Sequence, residues 1–514
     1  MPLIMRAATL FLSCLFVAPA LADEAAPPRV EDGRIVDGQG RVLLLRGLNT
    51  GNACKYAPYL PWQADADWDR LRPWGMNAVR LLIAWKAVEP RPGEIDEAYL
   101  DEVARRVRAL SNRGVYVLLD MHQDVYGEKV GGNGAPDWAV LGTAVVKVPS
   151  WVGAGMPWFV GYVKPEVLSA FDAFWDDAAV PATGRGVQEH YADAWKAVAR
   201  RFRGEPYVLG YDLMNEPFYG TAIFAVLAAA MVRDPVVAAE EGLALLTGKG
   251  TGGPESSLHD VDRLDRFLAG MEAPVKRFER RKLMPFYDRV ARAVREVDHE
   301  HIVFLEGTAL KFAGGRSFLR RPLGAEGKPL ANVAFAQHYY DPTMANGSLA
   351  YDGRRGRVER ALAHSLDEAR AEGAALLLGE YGTLGAEVPG AARYLADYSD
   401  VLTERGVGST YWAWERDLEG MPFFAAFARP YAAAVAGRGV ECRYEEKEKR
   451  LVVSFMSTGG ETEVYLPEAI YPTWRVTTSD AEGTYETRFD AATMTLTYRT
   501  STNGSVRLEV TPAR

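Results

Sequence analysis

Short apolar segments recur along most of the chain, and each is separated from the next by a longer amphipathic stretch. Eight of them are prominent, at residues 43–49, 77–83, 115–122, 208–216, 302–307, 332–340, 375–381 and 408–414. The intervening stretches space their apolar residues as helices do, as residues 96–114 illustrate. Strands that alternate with helices form a parallel sheet, and eight such strands close into a (β/α)8 TIM barrel. A doubly wound open sheet is the alternative, disfavoured because no glycine-rich phosphate loop follows a strand segment.

The pattern changes after Ala436, where apolar and polar residues begin to alternate with a period of two. Six such segments, with turn residues between them, predict a C-terminal antiparallel β-sandwich domain over residues 437–514. The barrel is assigned to residues 29–435. We expect it to open with a small hairpin, because Asp32-Gly33 and Asp37-Gly38 are strong turn signals between apolar residues.

The N-terminal residues have the composition of an export signal. An apolar run at residues 7–18 follows Arg6 and leads to Ala20-Leu21-Ala22, the small-residue pattern that precedes signal cleavage. Residues 1–22 are therefore assigned to a Sec-type signal peptide, and we expect a secreted or periplasmic protein. No later stretch is apolar for the roughly 18 residues that a membrane-spanning helix needs.

The net charge and the content of cysteine and histidine limit the ligands and cross-links that the chain can be expected to have. The formal net charge of −9 at pH 7 argues against nucleic acid. Of the three cysteines, Cys14 leaves with the signal, and a disulfide between Cys54 and Cys442 stays open because the sequence does not place the two sulfurs together. We expect a monomer that uses no cofactor. A metal ion is not expected either, since the seven histidines include no HExxH motif.

Polar side chains end most of the strand segments, and two of them are carboxylates of special interest. Parallel barrels carry their chemistry at the carboxyl ends of the strands. Glu216 ends the fourth segment in "YDLMNEPF" and Glu380 ends the seventh in "LLLGEYG", which predicts that they face each other across the barrel mouth. Such a pair suits glycoside hydrolysis, where a separation of about 5 Å predicts retention and more than about 6.5 Å predicts inversion. The alternative is that each acid caps a helix or pairs with an arginine.

Several motifs in chain order resemble a known family. Asn-Glu-Pro on the fourth strand, Glu380 on the seventh and Trp412 on the eighth resemble the retaining glycosidases of glycoside hydrolase family 5. The stretches "APYLPW", "DMHQDVYG", "NGAPDWA", "LGEYG" and "VYLPEA" narrow the resemblance to the endoglycoceramidases within that family. The resemblance runs from about residue 43 to the C-terminus, and it implies release of intact oligosaccharide from the ceramide of glycosphingolipids.

The resemblance also implies roles for particular residues. Glu216 would be the general acid and base, which needs a raised pKa, and Glu380 the nucleophile. Arg80 and Tyr340 would keep Glu380 ionised, with His338 in support, and Asn215 would hold the sugar 2-hydroxyl. The other candidates for contact with the substrate are Lys55, His122, Asp124, Trp158 and Trp412, and Tyr340 is a candidate for this role as well.

Each role has a simpler alternative. Arg80 could merely neutralise a buried carboxylate, Lys55 and Asp124 could be an exposed ion pair, and Trp412 could fill the core. Glu306 in "FLEGT" is the rival carboxylate, which we interpret as a sugar contact or a structural acid.

A long insertion at about residues 219–282 departs from the family pattern. Its apolar segment at residues 221–250 lies beside the expected acid and is followed by the basic run "KRFERRK". We hypothesise a lipid-facing lid or channel wall that makes peripheral contact with a membrane or micelle, against the alternative of an ordinary packed helical subdomain. The headgroup preference stays open, and so do a glucosylceramide or steryl-glucoside β-glucosidase, a family 5 cellulase or mannanase, and a non-catalytic glycan or lipid binder.

Overall fold

The computed structural model describes residues 26–142, 158–237, 239–240, 260–341, 351–383 and 389–513, so the assigned signal peptide lies outside it. Within these ranges the chain forms a closed parallel barrel and a separate antiparallel sheet. The strands are β1 (Arg29–Glu31), β2 (Arg34–Val36), β3 (Val42–Leu43), β4 (Arg46–Asn49), β5 (Ala78–Ile83), β6 (Tyr116–Met121), β7 (Val208–Asp212), β8 (Ile302–Leu305), β9 (Val333–His338), β10 (Ala375–Gly382), β11 (Gly408–Trp412), β12 (Tyr431–Val435), β13 (Gly437–Glu445), β14 (Arg450–Tyr465), β15 (Trp474–Thr478), β16 (Tyr485–Asp490) and β17 (Thr495–Pro512).

The helices lie mostly between the barrel strands. The α-helices of the described residues are α1 (Trp85–Val88), α2 (Glu97–Ser111), α3 (Pro165–Trp175), α4 (Val187–Phe202), α5 (Ile223–Arg233), α6 (Val261–Phe278), α7 (Met284–Arg295), α8 (Arg355–Glu372) and α9 (Ala391–Arg405). A π-helical turn, Glu279–Leu283, joins α6 to α7.

The eight strands β4 to β11 pair in sequence order and close between β11 and β4, so the predicted TIM barrel is confirmed. Seven of the predicted apolar segments contain one of these strands completely, and β10 extends one residue beyond its segment, to Gly382. Along β6 the side chains alternate: Val117 and Leu119 pack outward in the large core, whereas Leu118 packs inside the barrel and Asp120 and His122 follow it toward the mouth. The period of two therefore delivers polar groups to the interior of an otherwise apolar strand.

Apolar side chains fill the lower half of the barrel interior, near the amino ends of the strands. They form one buried cluster that excludes water from beneath the polar upper half. Its barrel members include Leu45, Ala78, Leu118, Leu209, Phe304, Ala336 and Leu377.

The predicted C-terminal antiparallel domain is confirmed as one sheet folded over its own core. The long strands β14 and β17 pair from Leu451 and Val510 through to Tyr465 and Thr495. Their pairing shifts register between Thr458 and Gly460, and β13 and β12 flank opposite halves of β14. Both halves contribute to one buried apolar cluster.

The boundary of this domain differs from the assignment made from sequence. Strands β1 to β3 were placed in the barrel, but β3 pairs with β12 through Leu43 and Ala434, so the hairpin extends the C-terminal sheet. The chain enters the barrel only at Arg46. A hairpin signal identifies strands that pair with each other, but it does not say which larger sheet they join.

The sheet packs against the amino-terminal end of the barrel. The Tyr431 hydroxyl donates to the Gly75 carbonyl at 2.9 Å, and the Tyr465 hydroxyl donates to the Pro73 carbonyl at 2.9 Å. Both carbonyls lie just before β5, at the base of the barrel. The opposite end, where catalysis is expected, is therefore left to the barrel loops and the insertion.

The insertion is a helical hairpin with one packed and one exposed side. Helix α5 crosses α6 closely, because a side chain at Gly270 would lie 3.0 Å from the Ala230 Cα atom. Residues 238 and 241–259 lie outside the described residues. Four apolar side chains on the α5 side are strongly exposed, namely Phe224 (57%), Met231 (52%), Val232 (84%) and Val236 (50%). No helix of the described ranges has the length and apolar character to cross a bilayer.

The two remaining cysteines are not paired. Cys54 is buried beside the Thr50 hydroxyl, 3.2 Å from its sulfur, and Cys442 is buried within β13. The two thiols therefore belong to the barrel and to the sheet respectively.

Candidate active site

Arg80 lies at the centre of the polar half of the barrel. It is on β5, pointing inward between the apolar base and the mouth, and it is fully buried. Its guanidinium contacts four carboxylates: Glu380 at 2.7 Å, Glu306 at 2.9 Å, Asp120 at 3.0 Å and Asp212 at 3.1 Å. A buried cation is stable in such a place because each of its donors meets an acceptor. Arg80 thus orients a group of acids and does not merely neutralise one of them.

Glu380 is held as a carboxylate. One oxygen accepts from Arg80, and the other accepts from the Tyr340 hydroxyl at 2.8 Å. Burial by itself would raise the pKa of Glu380, but the positive charges of His338 and Arg80 outweigh it and lower that pKa. An ionised, oriented carboxylate is the state that a nucleophile needs.

Glu216 has the opposite bias. Burial raises its pKa, and the negative charges of Glu380 and Glu306 add to that effect, although the hydrogen bond with His338 opposes it. His338 Nδ1 lies 2.9 Å from Glu216 Oε1. The other oxygen, Oε2, has no hydrogen-bond partner among the described residues and is available to carry a proton to a substrate.

The backbone of Glu216 is held in an uncommon conformation. Its φ of 41° is positive, which a residue with a Cβ rarely adopts and which clusters at functional sites. The Glu216 amide donates to Glu306 Oε2 at 2.8 Å, and Gln123 Nε2 donates to the Glu216 carbonyl at 3.0 Å. Glu306 is therefore a structural acid that fixes Glu216 in place.

Glu216 and Glu380 are close together. An oxygen from each, and a ring nitrogen of His338, all lie within 4.8 Å of one another. This closeness agrees with the separation of about 5 Å at which the second carboxylate attacks the sugar directly and leaves no room for an intervening water.

The side of the mouth next to Trp412 carries the predicted sugar contacts. Lys55 Nζ lies 2.6 Å from Asp124 and 4.2 Å from the centre of the Trp412 ring. The His122 ring stacks on the same tryptophan at 5.4 Å, with 8° between the planes. Lys55 and Asp124 have side chains only 12% and 13% exposed, so they are not an exposed surface pair. Charged donors and acceptors beside an aromatic face are what a pyranose needs.

The "NGAPDWA" motif positions Asp124. Asn133 Nδ2 donates to Asp124 Oδ2 at 3.1 Å, and the two backbones are paired in both directions. Gly134 has φ 107°, and a Cβ atom there would lie 2.7 Å from the His122 carbonyl oxygen. The glycine thus allows the loop to lie against the strand end that carries His122.

Asn215 is placed beside the acid, and Trp158 cannot be placed. Asn215 Oδ1 accepts from Arg80 at 3.0 Å, and its Nδ2 donates one hydrogen to the Gln123 carbonyl at 2.9 Å, which leaves a second hydrogen for a hydroxyl. The backbone of Trp158 begins the 3-10 helix Trp158–Val163, but its side chain lies outside the described residues.

Within the part of the chain that the structure describes, two groups of side chains are close enough to hold a metal ion. One is Glu216, His338 and Glu380, the site itself. The other is Asp120, Asp212 and Glu306, and the Arg80 guanidinium already contacts all three within 3.1 Å. The arginine supplies the positive charge that this acidic group requires.

Sequence reasoning did not identify several residues that build the site. Asp120 binds His122 Nδ1 at 2.8 Å, and Gln123 holds both Asn215 and Glu216. Asp120 could have been found from the period of two, since it shares a strand face with His122. Asp212, Gln123 and Asn133 carried no comparable signal.

The barrel with its carboxylate pair defines a class of protein. A buried acid with a raised pKa, an ionised carboxylate with an oxygen within 4.8 Å of it, and an aromatic wall at the carboxyl ends of (β/α)8 strands form the site of a retaining glycoside hydrolase. The family model described as cellulase (glycosyl hydrolase family 5) matches residues 36–417, and the glycoside hydrolase family 5 C-terminal domain matches residues 429–510. The chain belongs to glycosyl hydrolase family 5.

Curated relatives match over part of their length. Endoglycoceramidase I of Rhodococcus hoagii (strain 103S) is 40% identical over 190 residues, which make up 36% of this chain and 36% of that protein. The endoglycoceramidase of Hydra vulgaris is 26% identical over 373 residues, 67% of this chain and 61% of that protein. The chain thus spans between 36% and 61% of the length of these relatives.

A solved structure matches over nearly the whole chain. Endo-glycoceramidase II from Rhodococcus sp. in complex with ganglioside GM3 is 30% identical with a TM-score of 0.71, covering 94% of this chain and 100% of that one. Its lactosyl-enzyme intermediate is also 30% identical, with a TM-score of 0.70 and coverage of 95% and 100%.

Proposed function

We propose that this protein is a retaining endo-β-glycosidase that hydrolyses the linkage between the oligosaccharide and the ceramide of glycosphingolipids. The observation that carries the proposal is the pair Glu216 and Glu380, with pKa values shifted in opposite directions and oxygens within 4.8 Å. The likeness to a ganglioside-bound endo-glycoceramidase II over 94% of the chain supports the choice of substrate class.

In the first half of the reaction Glu380 attacks. Its carboxylate oxygen forms a bond to the anomeric carbon while Glu216 transfers its proton to the glycosidic oxygen, so that the bond to the ceramide oxygen breaks. Ceramide leaves as a neutral alcohol, and the oligosaccharide stays on Glu380 as an ester. Asn215 is placed to hold the 2-hydroxyl, whose hydrogen bond strengthens as the oxocarbenium-like transition state forms.

In the second half of the reaction water replaces the ester. Glu216, now ionised, takes a proton from water as the water oxygen attacks the anomeric carbon, and the bond to Glu380 breaks. Two displacements on the same carbon give net retention. The lactosyl-enzyme intermediate of endo-glycoceramidase II from Rhodococcus sp. supports a covalent step of this kind.

The exposed face of α5 supports a lipid substrate over a soluble glucan. The helix begins seven residues after Glu216, and Phe224, Met231 and Val232 on its outer side are more than half exposed. A patch of this kind suits contact with acyl chains or a micelle. We infer that the α5 face, defined as Phe224, Met231 and Val232 of the helix together with Val236 shortly after its end, meets the lipid aggregate while the sugar enters the barrel.

The test of the proposed function is product analysis. Glucosylceramide, lactosylceramide and a ganglioside are incubated in detergent with the wild type and with Glu216→Gln and Glu380→Gln, and the products are separated by thin-layer chromatography and weighed by mass spectrometry. Intact oligosaccharide plus ceramide, lost in both variants, is expected. Intact glycolipids with cleavage of soluble β-glucans or mannans would overturn the lipid assignment, and release of glucose from a steryl glucoside alone would favour that alternative.

Export and a monomeric state complete the proposal. We infer cleavage after Ala22, which mass spectrometry of the mature protein from the culture medium or periplasm tests through an N-terminus at Asp23. Light scattering of the purified protein tests the monomer; a larger mass at all concentrations would contradict it.

A further inference from the structure

Glu279 is a buried acid within an otherwise exposed basic run. Lys276, Arg277, Arg280 and Arg281 around it are all exposed, whereas Glu279 is 1% exposed. It begins the π-helical turn between α6 and α7. Turns of this kind inside α-helices are frequent at functional sites because they re-aim one side chain.

The Glu279 carboxylate accepts hydrogen bonds from several donors. Oε1 accepts from the Thr308 amide at 3.2 Å, from the Thr308 hydroxyl at 3.3 Å and from the Ser317 hydroxyl at 3.2 Å, and Oε2 accepts from the Phe318 amide. Among the described residues it forms no ion pair. A buried acid without a counter-charge is costly to the fold, and an acid in such a place points to a role that an apolar side chain would not fill.

The loop that Glu279 holds is the loop that holds the general acid. Thr308 comes two residues after Glu306, whose Oε2 accepts from the Glu216 amide at 2.8 Å. The Ala309 amide donates to the Pro217 carbonyl at 2.9 Å, and the Tyr219 hydroxyl bonds to the Thr308 hydroxyl. Residues 216–219 are thus tied to the loop after β8 at three points, namely Glu216, Pro217 and Tyr219.

These contacts matter because the backbone of Glu216 is strained. A positive φ at a residue with a Cβ persists only where surrounding contacts enforce it. A displacement of the acid by about 1 Å is enough to lose on the order of 100-fold in rate. Residues 216–219 therefore need a rigid neighbour. The loop after β8 can provide one when the amide and hydroxyl of Thr308 are held by hydrogen bonds, as they are by Glu279.

We propose that Glu279 is a positioning residue for the general acid: its carboxylate fixes the loop 306–309, and that loop fixes the backbone and proton of Glu216 against the glycosidic oxygen. The proposal rests on the proposed function, since it concerns the protonation of the leaving group. Because Glu279 also ends α6, it connects the catalytic loop to the hairpin whose other helix is α5.

The test compares leaving groups. The values of kcat/KM for phenyl and 2,4-dinitrophenyl β-lactosides are measured for the wild type and Glu279→Gln, since kcat/KM reports the first displacement. The phenolate of the first substrate needs a proton from Glu216, whereas the dinitrophenolate leaves without one. We expect a loss of about tenfold or more for phenyl lactoside and less than about threefold for the dinitrophenyl substrate.

The matched control is Asp298→Asn at the opposite end of β8. Asp298 is also a buried carboxylate with several donors, from the Glu300 and His301 amides, His301 Nδ1 and the Tyr211 hydroxyl, but it contacts nothing near the mouth. We expect this variant to lose stability without distinguishing the two substrates.

Equal losses on both substrates for Glu279→Gln would overturn the proposal and leave a structural role only. Should that variant fail to fold, Thr308→Val removes the hydroxyl shared by Glu279 and Tyr219, and it must show the same preference for the dinitrophenyl substrate or the proposal is wrong. Absence of any hydrolysis by the wild type would instead overturn the proposed function.

Discussion

The ionisation of the proposed catalytic pair, Glu216 and Glu380, depends on how one cation is shared among several acids. Arg80 contacts four carboxylates, but its shortest contact, 2.7 Å, is to Glu380, which also receives the Tyr340 hydroxyl. Arg80 stabilises the ionised form of Asp212 less effectively. Burial raises the pKa of Asp212 far above the usual range, and the neighbouring charge of Glu306 adds to the shift. Glu380 obtains both a cation and a hydroxyl, and its pKa is lowered, so its carboxylate form is favoured.

The hydroxyl of Tyr340 is therefore expected to matter for the nucleophile. Tyr340→Phe removes a hydrogen bond to a charged group, worth roughly 1.5–3 kcal/mol, so kcat/KM should fall by about 10- to 100-fold. Loss of a donor to the ionised form raises the pKa of Glu380, so the acidic limb of the kcat/KM profile should move to higher pH. Tyr339→Phe is the control, since the Tyr339 ring stacks near Tyr398 instead. An unshifted limb would contradict the assigned role.

The contribution of Glu279 to the free energy of unfolding should depend on pH. Burial raises its pKa to about 7 from 4.5, with the charge of Glu368 adding to the effect. Because the folded state holds this proton more tightly, the stability that the group contributes is full below about pH 4.5 and is lost as pH rises through about 7.

Glu279→Gln removes this titration. The unfolding free energy of the wild type relative to the variant should fall by up to about 3 kcal/mol between pH 4.5 and pH 8, as measured by chemical denaturation. Asp298→Asn is the control, because the low pKa of Asp298 makes its contribution constant over that range and lost only on acidification. A constant difference for Glu279→Gln would contradict the burial argument.

At the scale of elements, the pattern of apolar residues predicted where the barrel strands lie and which of their side chains point inward. It did not predict which face of every helix packs against the rest of the protein. The alternation along β6 specifies an inner and an outer side, so Asp120 and His122 had to share one side. Helix α5 is apolar on nearly all sides, and in such a helix the sequence does not reveal which side packs. The structure resolves this: Val226 and Ala230 are buried and Phe224 and Val232 are exposed.

The exposed α5 face should matter for hydrolysis of a substrate that is embedded in a lipid vesicle. The double variant Phe224→Ser and Val232→Ser should slow hydrolysis of glycolipid in vesicles by at least about tenfold, since each large apolar side chain contributes roughly 1.5–3 kcal/mol when it is fully buried and even partial insertion loses part of this. The value of kcat/KM for a soluble aryl lactoside should stay unchanged. Met456→Ser on the C-terminal sheet is the control, because this methionine is equally exposed, at 54%, but distant from the mouth. Equal activity of the double variant on vesicles would favour an ordinary packed subdomain.

At the scale of the whole molecule, the sequence predicted the two structural units and offered candidate catalytic residues in chain order, but it did not predict how the units join. The Asp-Gly turns predicted a hairpin. Its place in the C-terminal sheet follows only from the pairing of Leu43 with Ala434, which are far apart in the chain. Such pairing is non-local, and a single sequence carries no signal for it. The same holds for Arg80: its strand and direction follow from the pattern, whereas its acids come from three other strands and a loop.

The junction of the two units centres on Arg46, at the first residue of β4. Its guanidinium donates to the Arg429 carbonyl at 2.7 Å and to the Thr403 hydroxyl at 2.6 Å, and it lies 3.9 Å from the centre of the Tyr431 ring. Because the same residue belongs to the barrel and packs on β12 of the sheet, unfolding of either unit breaks these contacts. The wild type should therefore unfold in a single calorimetric transition.

Arg46→Met tests this coupling. The substitution keeps the apolar stem but leaves the Arg429 carbonyl without its donor and removes a cation–π contact, so we expect a loss of roughly 2–4 kcal/mol in unfolding free energy. The calorimetric peak should then split or broaden toward two transitions. Arg41→Met, which removes ion pairs with Asp37 and Glu463 within the sheet, is the control that should lower stability and keep one transition. A single sharp transition in Arg46→Met would mean that other contacts, such as the Tyr431 and Tyr465 hydroxyls on the loop before β5, join the two units without it.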